Sequence, residues 1–423
     1  MRILVVGGGG REHSFCWKLA QSSKLTQLFA APGNAGTAEI ATNLPIGVTD
    51  FATLKEAVLG HQIQMVVVGP EAPLVEGIAD YFSADPQLQN VPVIGPQKAA
   101  ARLEGSKSFA KKFMQKHQIP TAAYGEFTAD SLADGEAFLE SMQSPYVLKA
   151  DGLAAGKGVL IIQDLNEAKS ALRKMLLEQQ FGEASQTVVI EEFLQGIEAS
   201  CFVWTDGKSY KILPYAKDYK RIGEGDTGLN TGGMGAISPV PFLSEALRQT
   251  IEEQIVVPTI DGLQKDNMPY VGFVFIGLMI VGDKPYVIEY NVRMGDPETE
   301  VVLPRIQSDL VDIFQAMANG TLADQPLQID PQVATTVMAV SKGYPEAYPK
   351  GKTITGLSQA SQATVFHAGT QVEQDKIITA GGRVLAATGM GETMEKALEK
   401  SYTALSQISF EGINYRKDIG FDL

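Results

Sequence analysis

Between Val287 and Glu298 the chain reads VIEYNVRMGDPE, and there ionic groups recur at a spacing that could do chemistry. Side chains on a strand point alternately to its two faces. The spacing predicts Ile288, Tyr290 and Val292 on one apolar face and Glu289, Asn291 and Arg293 on the other. A carboxylate and an amide oxygen suit a hard divalent ion such as Mg²⁺, which takes one or two protein ligands and completes its shell with phosphate oxygens and water. Arg293, one step along, would meet phosphate charge. The same alternation also fits a half-buried strand with a solvated face. Asp296, Glu298 and Glu300 favour a site, because so many acids around one arginine are hard to hold without a cation.

A phosphate-bearing ligand needs further cations and a cover. Lys107, Lys111 and Lys112 lie on a helix predicted over 107–117, and Lys149 lies near the end of a strand predicted over 146–150. The loop DGLAAGKG (151–158) links that strand to a second one at 159–162, so it is a hairpin. It is not a Walker A loop, because Asp151 stands where the first glycine belongs and Gly158 replaces Ser or Thr after Lys157. A glycine hairpin can instead fold over nucleotide phosphates, with Lys149 pairing with them. EEFLQGIE (191–198) has the form of a hinge that reads adenine by backbone groups and ribose by a carboxylate. Residues 217–239 are glycine-rich without a period and predict an extended functional loop, in which NTGGMG allows close backbone approach.

Positions 1–103 alternate apolar runs with helical patterns, as in a parallel sheet covered on both faces. The runs at 3–6, 27–30, 65–68 and 91–94 end at GGGGREH, at PGNAG and at two Gly-Pro turns. Ligands of such sheets bind beyond the carboxyl ends of the strands. A dinucleotide fingerprint fails at Glu12 and His13, so NAD is disfavoured. The glycine turn still offers N–H groups to a sugar phosphate, with Asn34 and Glu71 available for hydroxyls or an amine. After residue 327 the pattern restarts as a small α+β unit with strands near 334–340, 363–367 and 383–388. It has no ionic cluster of comparable density.

Composition narrows the class. The 423 residues exceed one hydrophobic core, and a net charge of −14 argues against nonspecific nucleic-acid binding. Cys16 and Cys201 lack ligand spacing, which fits a reducing compartment. MRILVV breaks into glycines too early for a signal peptide, so it is expected to be a strand. The longest apolar run, 270–281, is too short to span a bilayer.

Taken together, GGGGREH, PGNAG, GPEAPL, Lys107 with Lys149, DGLAAGKGV, EEFLQGIE, NTGGMGAISP and EYNVRMGDPE stand in the order and spacing of one family. Over essentially its whole length the chain resembles the phosphoribosylamine–glycine ligases, the glycinamide ribonucleotide synthetases of purine biosynthesis, which are ATP-grasp enzymes. The resemblance implies an α/β and α+β multidomain fold. An N-terminal doubly wound parallel sheet (1–103) would bind phosphoribosylamine. A central ATP-grasp domain (104–326) would carry a glycine-loop lid subdomain (121–190), and a small α+β domain (327–423) would follow.

It also implies residue roles. Lys107 and Lys149 would hold ATP phosphates beneath a lid containing Gly152, Gly156, Lys157 and Gly158. Glu191, Leu194 and Glu198 would hold adenosine, and Glu289 and Asn291 would bind Mg²⁺ or Mn²⁺. Gly9, Asn34 and Glu71 would form the phosphoribosylamine pocket, while Asp218, Asn230, Thr231 and Gly233 would form the glycine pocket. Arg293 and Lys149 would act on the transferring phosphoryl group. The sequence departs from the family at Tyr219, commonly His, at Leu229, commonly Pro, and at Ile197, commonly a second acid. The expected activity is ligation of glycine to 5-phosphoribosylamine through glycyl phosphate. Another ATP-grasp carboxylate–amine ligase and a nucleotide-binding sensor are the alternatives. The expected partners are these small molecules, with no nucleic acid and no membrane, for a cytoplasmic monomer.

Overall fold

Strands buried on both faces read as unbroken apolar runs, and the N-terminal runs fold accordingly. A computed structural model describes residues 1–152 and 158–423. Strands β1 (Arg2–Gly7), β2 (Gln27–Pro32), β3 (Thr42–Asn43), β4 (Met65–Val68) and β5 (Val93–Ile94) form one parallel sheet in the order β3-β2-β1-β4-β5. Leu4 and Val6 pack with Phe29 and Val66 on one side, while Ile3 and Val5 pack with Phe15 and Leu19 on the other. Burial on both sides leaves only the loops beyond the strand ends for ligand chemistry.

Strands β6 (Tyr124–Phe127), β7 (Tyr146–Ala150), β8 (Val159–Ile162) and β9 (Val188–Glu192) form an antiparallel sheet in the order β6-β9-β7-β8. The predicted hairpin is there, with Lys149 opposite Val159. The expected lid residues Gly156 and Lys157 lie outside the described residues. The helices Leu132–Ser141 and Leu165–Glu178 share one core with this sheet through Leu139, Leu172 and Leu176.

The chain continues through β10 (Ile197–Thr205), β11 (Tyr210–Ile212), β12 (Lys217–Asp218), β13 (Arg221–Gly223), β14 (Thr227–Asn230) and β15 (Gly235–Ser238) to the long pair β16 (Gly272–Val281) and β17 (Lys284–Asn291). Residues 217–239, expected to form one extended loop, instead carry four short strands. These strands are only two to four residues long, too short to leave an alternating pattern. β13 and β14 form a hairpin arm. β12 and β15 instead join β18 (Val333–Ser341), β19 (Thr364–His367) and β22 (Arg383–Gly391) in the order β12-β15-β18-β22-β19, beyond the small β20 (Thr370–Glu373) and β21 (Lys376–Thr379) hairpin. The C-terminal unit thus borrows two strands from the segment before it. Among the described residues no helix is long and apolar enough to cross a membrane.

Candidate active site

β17 carries the first two predicted ligands. Gly277 pairs with Glu289 and Phe275 with Asn291, so the two side chains emerge on one side of the sheet. Glu289 is exposed and Asn291 is buried. Tyr290 faces the opposite way into the core, with its hydroxyl 2.7 Å from Thr259 Oγ1. The predicted apolar face needs one correction. A bulge at Gly277/Leu278 shifts the register, so Val287 rather than Ile288 joins Tyr290 in the core. Alternation also ends with the strand at Asn291, and Arg293 lies beyond it.

Arg293 is not free on the metal face. Its Nη2 lies 2.8 Å from Glu104 and its Nε 3.7 Å from Glu71. Glu104 also accepts the Val292 N–H at 2.8 Å. Burial raises the Glu104 carboxyl despite Arg293. Burial also pushes Glu71 upward, but Arg293 and then Arg11 outweigh it and leave the carboxyl below its ordinary value. Arg293 therefore ties the end of β17 to the loop after β4.

Two arginines, Arg11 and Arg383, reach the acid cluster at the turn. Arg383 lies 3.0 Å from Asp296 Oδ1 and donates to the Asp296 and Gly232 carbonyls at 2.6 and 2.7 Å. Arg11 donates to the Met294 carbonyl at 3.1 Å and to Glu12 at 2.7 Å. Burial and then Asp218 push Glu298 up to about 7, and burial and then Asp296 push Glu300 well above the usual carboxylate range. Among the described residues no group of three or more His, Cys, Asp or Glu could hold a metal.

Beneath the glycine loop, Glu12 accepts the Gly9 N–H at 2.6 Å. A Cβ on Gly69 would fall 2.0 Å from its Oε1, so Glu12 fills the space under both loops. Asn34 already has partners within the chain. Its amide donates to the carbonyls of Gly8, Gly9, His367 and Ala368 at 3.0, 3.3, 2.6 and 3.3 Å, and its oxygen accepts the Thr37 N–H. Asn34 is a clasp between the first loop and β19.

Across the cleft, Lys149 lies 3.0 Å from Glu191 Oε1 and Lys111 lies 3.0 Å from Oε2. The Glu191 carboxylate is thus paired with two lysines. Lys107 donates to the Gly152 carbonyl at 3.2 Å, and Asp151 accepts from Ser106 and from the Ser108 N–H. Gly158 closes the hairpin base by accepting the Ala150 N–H at 2.8 Å. Lys220 reaches Glu198 at 2.5 Å, and Lys220 holds that carboxyl below its ordinary value against burial. Burial raises Asp218, with Lys220 opposing. Leu194 is half-buried and Asn230 exposed. Thr231 accepts the Gly233 N–H at 2.9 Å. Gly233 has a φ of +120° and its Cβ would meet Pro297 at 2.4 Å, so the 230–235 loop lies against the GDPE turn.

Three family models cover this architecture. Residues 1–104 match the phosphoribosylglycinamide synthetase N domain, residues 105–299 its ATP-grasp (A) domain and residues 334–422 its C domain. The chain belongs to the phosphoribosylglycinamide synthetase family. It is 45% identical to the phosphoribosylamine–glycine ligase of Chlorobaculum tepidum over 99% of both chains. It is 46% identical to the bifunctional purine biosynthetic protein of Pichia angusta, matching over 99% of this chain and spanning about half (53%) of that one. The crystal structure of phosphoribosylamine–glycine ligase from Thermotoga maritima superposes with a TM-score of 0.86 at 36% identity, covering 99% of this chain and all of that one.

As an ATP-grasp synthetase the chain uses ATP, and the residues present suit the divalent ion that such chemistry calls for. The exposed Glu289 carboxylate sits beside Asn291, whose buried side-chain nitrogen has no protein partner. An amide fixed by burial with one end unpaired can turn its oxygen to a cation. Two protein ligands are enough where phosphates supply others. Sequence reasoning missed Glu104, Arg11 and Arg383 as parts of this synthetase's cleft. Their partners lie far along the chain, so no local spacing marks them.

Proposed function

We infer that the chain is a phosphoribosylamine–glycine ligase, joining glycine to 5-phosphoribosylamine to give glycinamide ribonucleotide, ADP and phosphate. The observation that carries this is the 45% identity spanning 99% of both chains, over a cleft that opposes lysines to a carboxylate–amide pair. Lys107 and Lys149 hold the triphosphate, and the segment from Gly152 to Gly158, with Gly156 and Lys157, covers it. Leu194 and Glu198 take the adenosine, with Glu191 acting through its backbone. A Mg²⁺ or Mn²⁺ ion held by Glu289 and Asn291 neutralises phosphate charge when bound.

The glycine carboxylate lies near Asp218 and the loop of Asn230, Thr231 and Gly233, and it takes the γ-phosphoryl group to give glycyl phosphate. Phosphoryl transfer asks mainly for positioning and charge, which fits a cleft of lysines and arginines. The 5-phosphoribosylamine binds across Gly9 and Glu71, with Arg293 bridging this pocket to β17. Its amine attacks the acyl carbon, and the departing phosphate carries away the displaced proton. The lid keeps water from the acyl phosphate. We place the domain boundaries after residues 103 and 326, and read the enzyme as a cytoplasmic monomer without nucleic-acid or membrane partners.

The test is ADP release with each substrate omitted in turn. Release should require glycine and turn over only with phosphoribosylamine present. ADP release indifferent to glycine would remove the assignment.

A further inference from the structure

Lys111 sits one turn beyond Lys107 on the helix Lys107–Lys116, is only 1% exposed and has no part in the roles given above. Its ammonium donates to Thr121 Oγ1 at 2.7 Å and shares the Glu191 carboxylate with Lys149, each at 3.0 Å. Thr121 passes its own hydroxyl to the Val287 carbonyl at 2.7 Å, and Lys149 reaches the Ile288 carbonyl at 3.4 Å. The three charged groups are therefore tied at both ends to β17, which carries Glu289. A Lys149–Glu191 pair alone would be neutral toward a polyanion. With Lys111 the set carries one net positive charge. Buried ion triads add little net stability, so stability alone is a poor account of three charges here.

We propose that Lys111 is a positioning residue for ATP: it neutralises Glu191 so that the charge of Lys149 stays uncancelled toward the triphosphate, and through Thr121 it sets this group against β17. The inference rests on the reading of Lys149 as a phosphate ligand. It separates Lys111 from a residue that only fills the core, because it depends on charge balance and not on volume.

The experiment measures the ATP dissociation constant, the KM values for ATP and glycine, and the melting temperature of the full chain. Lys111→Met should weaken ATP binding roughly thirtyfold, the effect of one unit charge at about 8 Å with an effective dielectric of about 20. Its KM for glycine should not move. Lys111→Gln removes the same charge while keeping a polar end, and serves if the Met variant does not fold. The double variant Lys111→Met/Glu191→Gln restores the net charge and should recover ATP binding to within about fivefold of the parent, a coupling that independent packing losses would not give. A double variant that binds no better than Lys111→Met overturns the proposal. So do Lys111→Met and Lys111→Gln proteins that bind ATP normally while Lys149→Met does not. Normal ATP binding by Lys149→Met would instead remove the phosphate reading itself, and the inference with it.

Discussion

Adjacent residues on β17 should fail in different ways when altered. Tyr290 is 2% exposed, its ring meets Phe113 edge-on at 6.3 Å, and its hydroxyl lies 2.7 Å from Thr259 Oγ1. Thr259 already donates to the Ile255 carbonyl at 2.6 Å, so the tyrosine is the donor of the pair. Tyr290→Phe loses that one hydrogen bond, about 1 kcal/mol. Tyr290→Ala also loses a packed ring, about 3–5 kcal/mol. The Asn291 nitrogen has no protein partner, so Asn291→Ala should cost less than about 1 kcal/mol of stability. As one of two proposed ion ligands, its loss should raise the Mg²⁺ requirement by at least about tenfold, since even outer partners of metal ligands are worth that much. Thermal melts without nucleotide, set beside Mg²⁺ titrations of ADP release, separate the two classes. If Tyr290→Phe shifts the Mg²⁺ titration as far as Asn291→Ala with its melting temperature unmoved, the facing of β17 is wrong.

Three further outcomes concern charged groups. Burial pulls Lys111 down to about 8 against Glu191 on β9, with Lys149 on β7 and the Tyr124 ring on β6 as its other neighbours. ATP affinity should therefore fall as pH rises through about 8. The unfolded lysine keeps its proton to about 10.4, so the stability contribution of this group should rise between those values, which denaturant titrations at pH 7 and 9 would register. Glu12→Gly completes a nominal dinucleotide fingerprint, yet it should bind no NADH and should lose about 3–5 kcal/mol because buried Arg11 loses its partner; NADH fluorescence and a melt check both. Asp422 accepts from the Tyr219 hydroxyl at 2.9 Å and lies 2.8 Å from Lys217, so Asp422→Ala should raise the KM for glycine several-fold and leave that for ATP unchanged.

Legibility in the sequence followed the range of each interaction. The runs at Ile3–Val6 and Met65–Val68 were readable because both faces of those strands are buried, and Glu289 with Asn291 because a strand alternates locally. Ile288 escaped because a bulge depends on the partner strand. β15 escaped because its pairing is with β18, on the order of a hundred residues away, and β12 because it pairs with β15 over only two residues. The Asn34 clasp was not readable because its four carbonyl partners come from two separate parts of the chain. Arg383 and Glu104 were invisible for the same reason, since they meet Asp296 and Arg293 only in the folded protein. The departure at Tyr219 also reads differently in the fold: its ring is buried against Arg416 and Phe421 and its hydroxyl meets Asp422, so it braces the strand that presents Asp218.

The central claim is that the glycine carboxylate is activated by phosphoryl transfer before the amine attacks. Turnover with glycine carrying ¹⁸O in both carboxylate oxygens tests it by mass analysis of the released phosphate. One ¹⁸O atom per phosphate is the predicted result, because the carboxylate oxygen that receives the phosphoryl group leaves with it. Unlabelled phosphate, with both ¹⁸O atoms absent from it and glycinamide ribonucleotide still formed, would contradict the account.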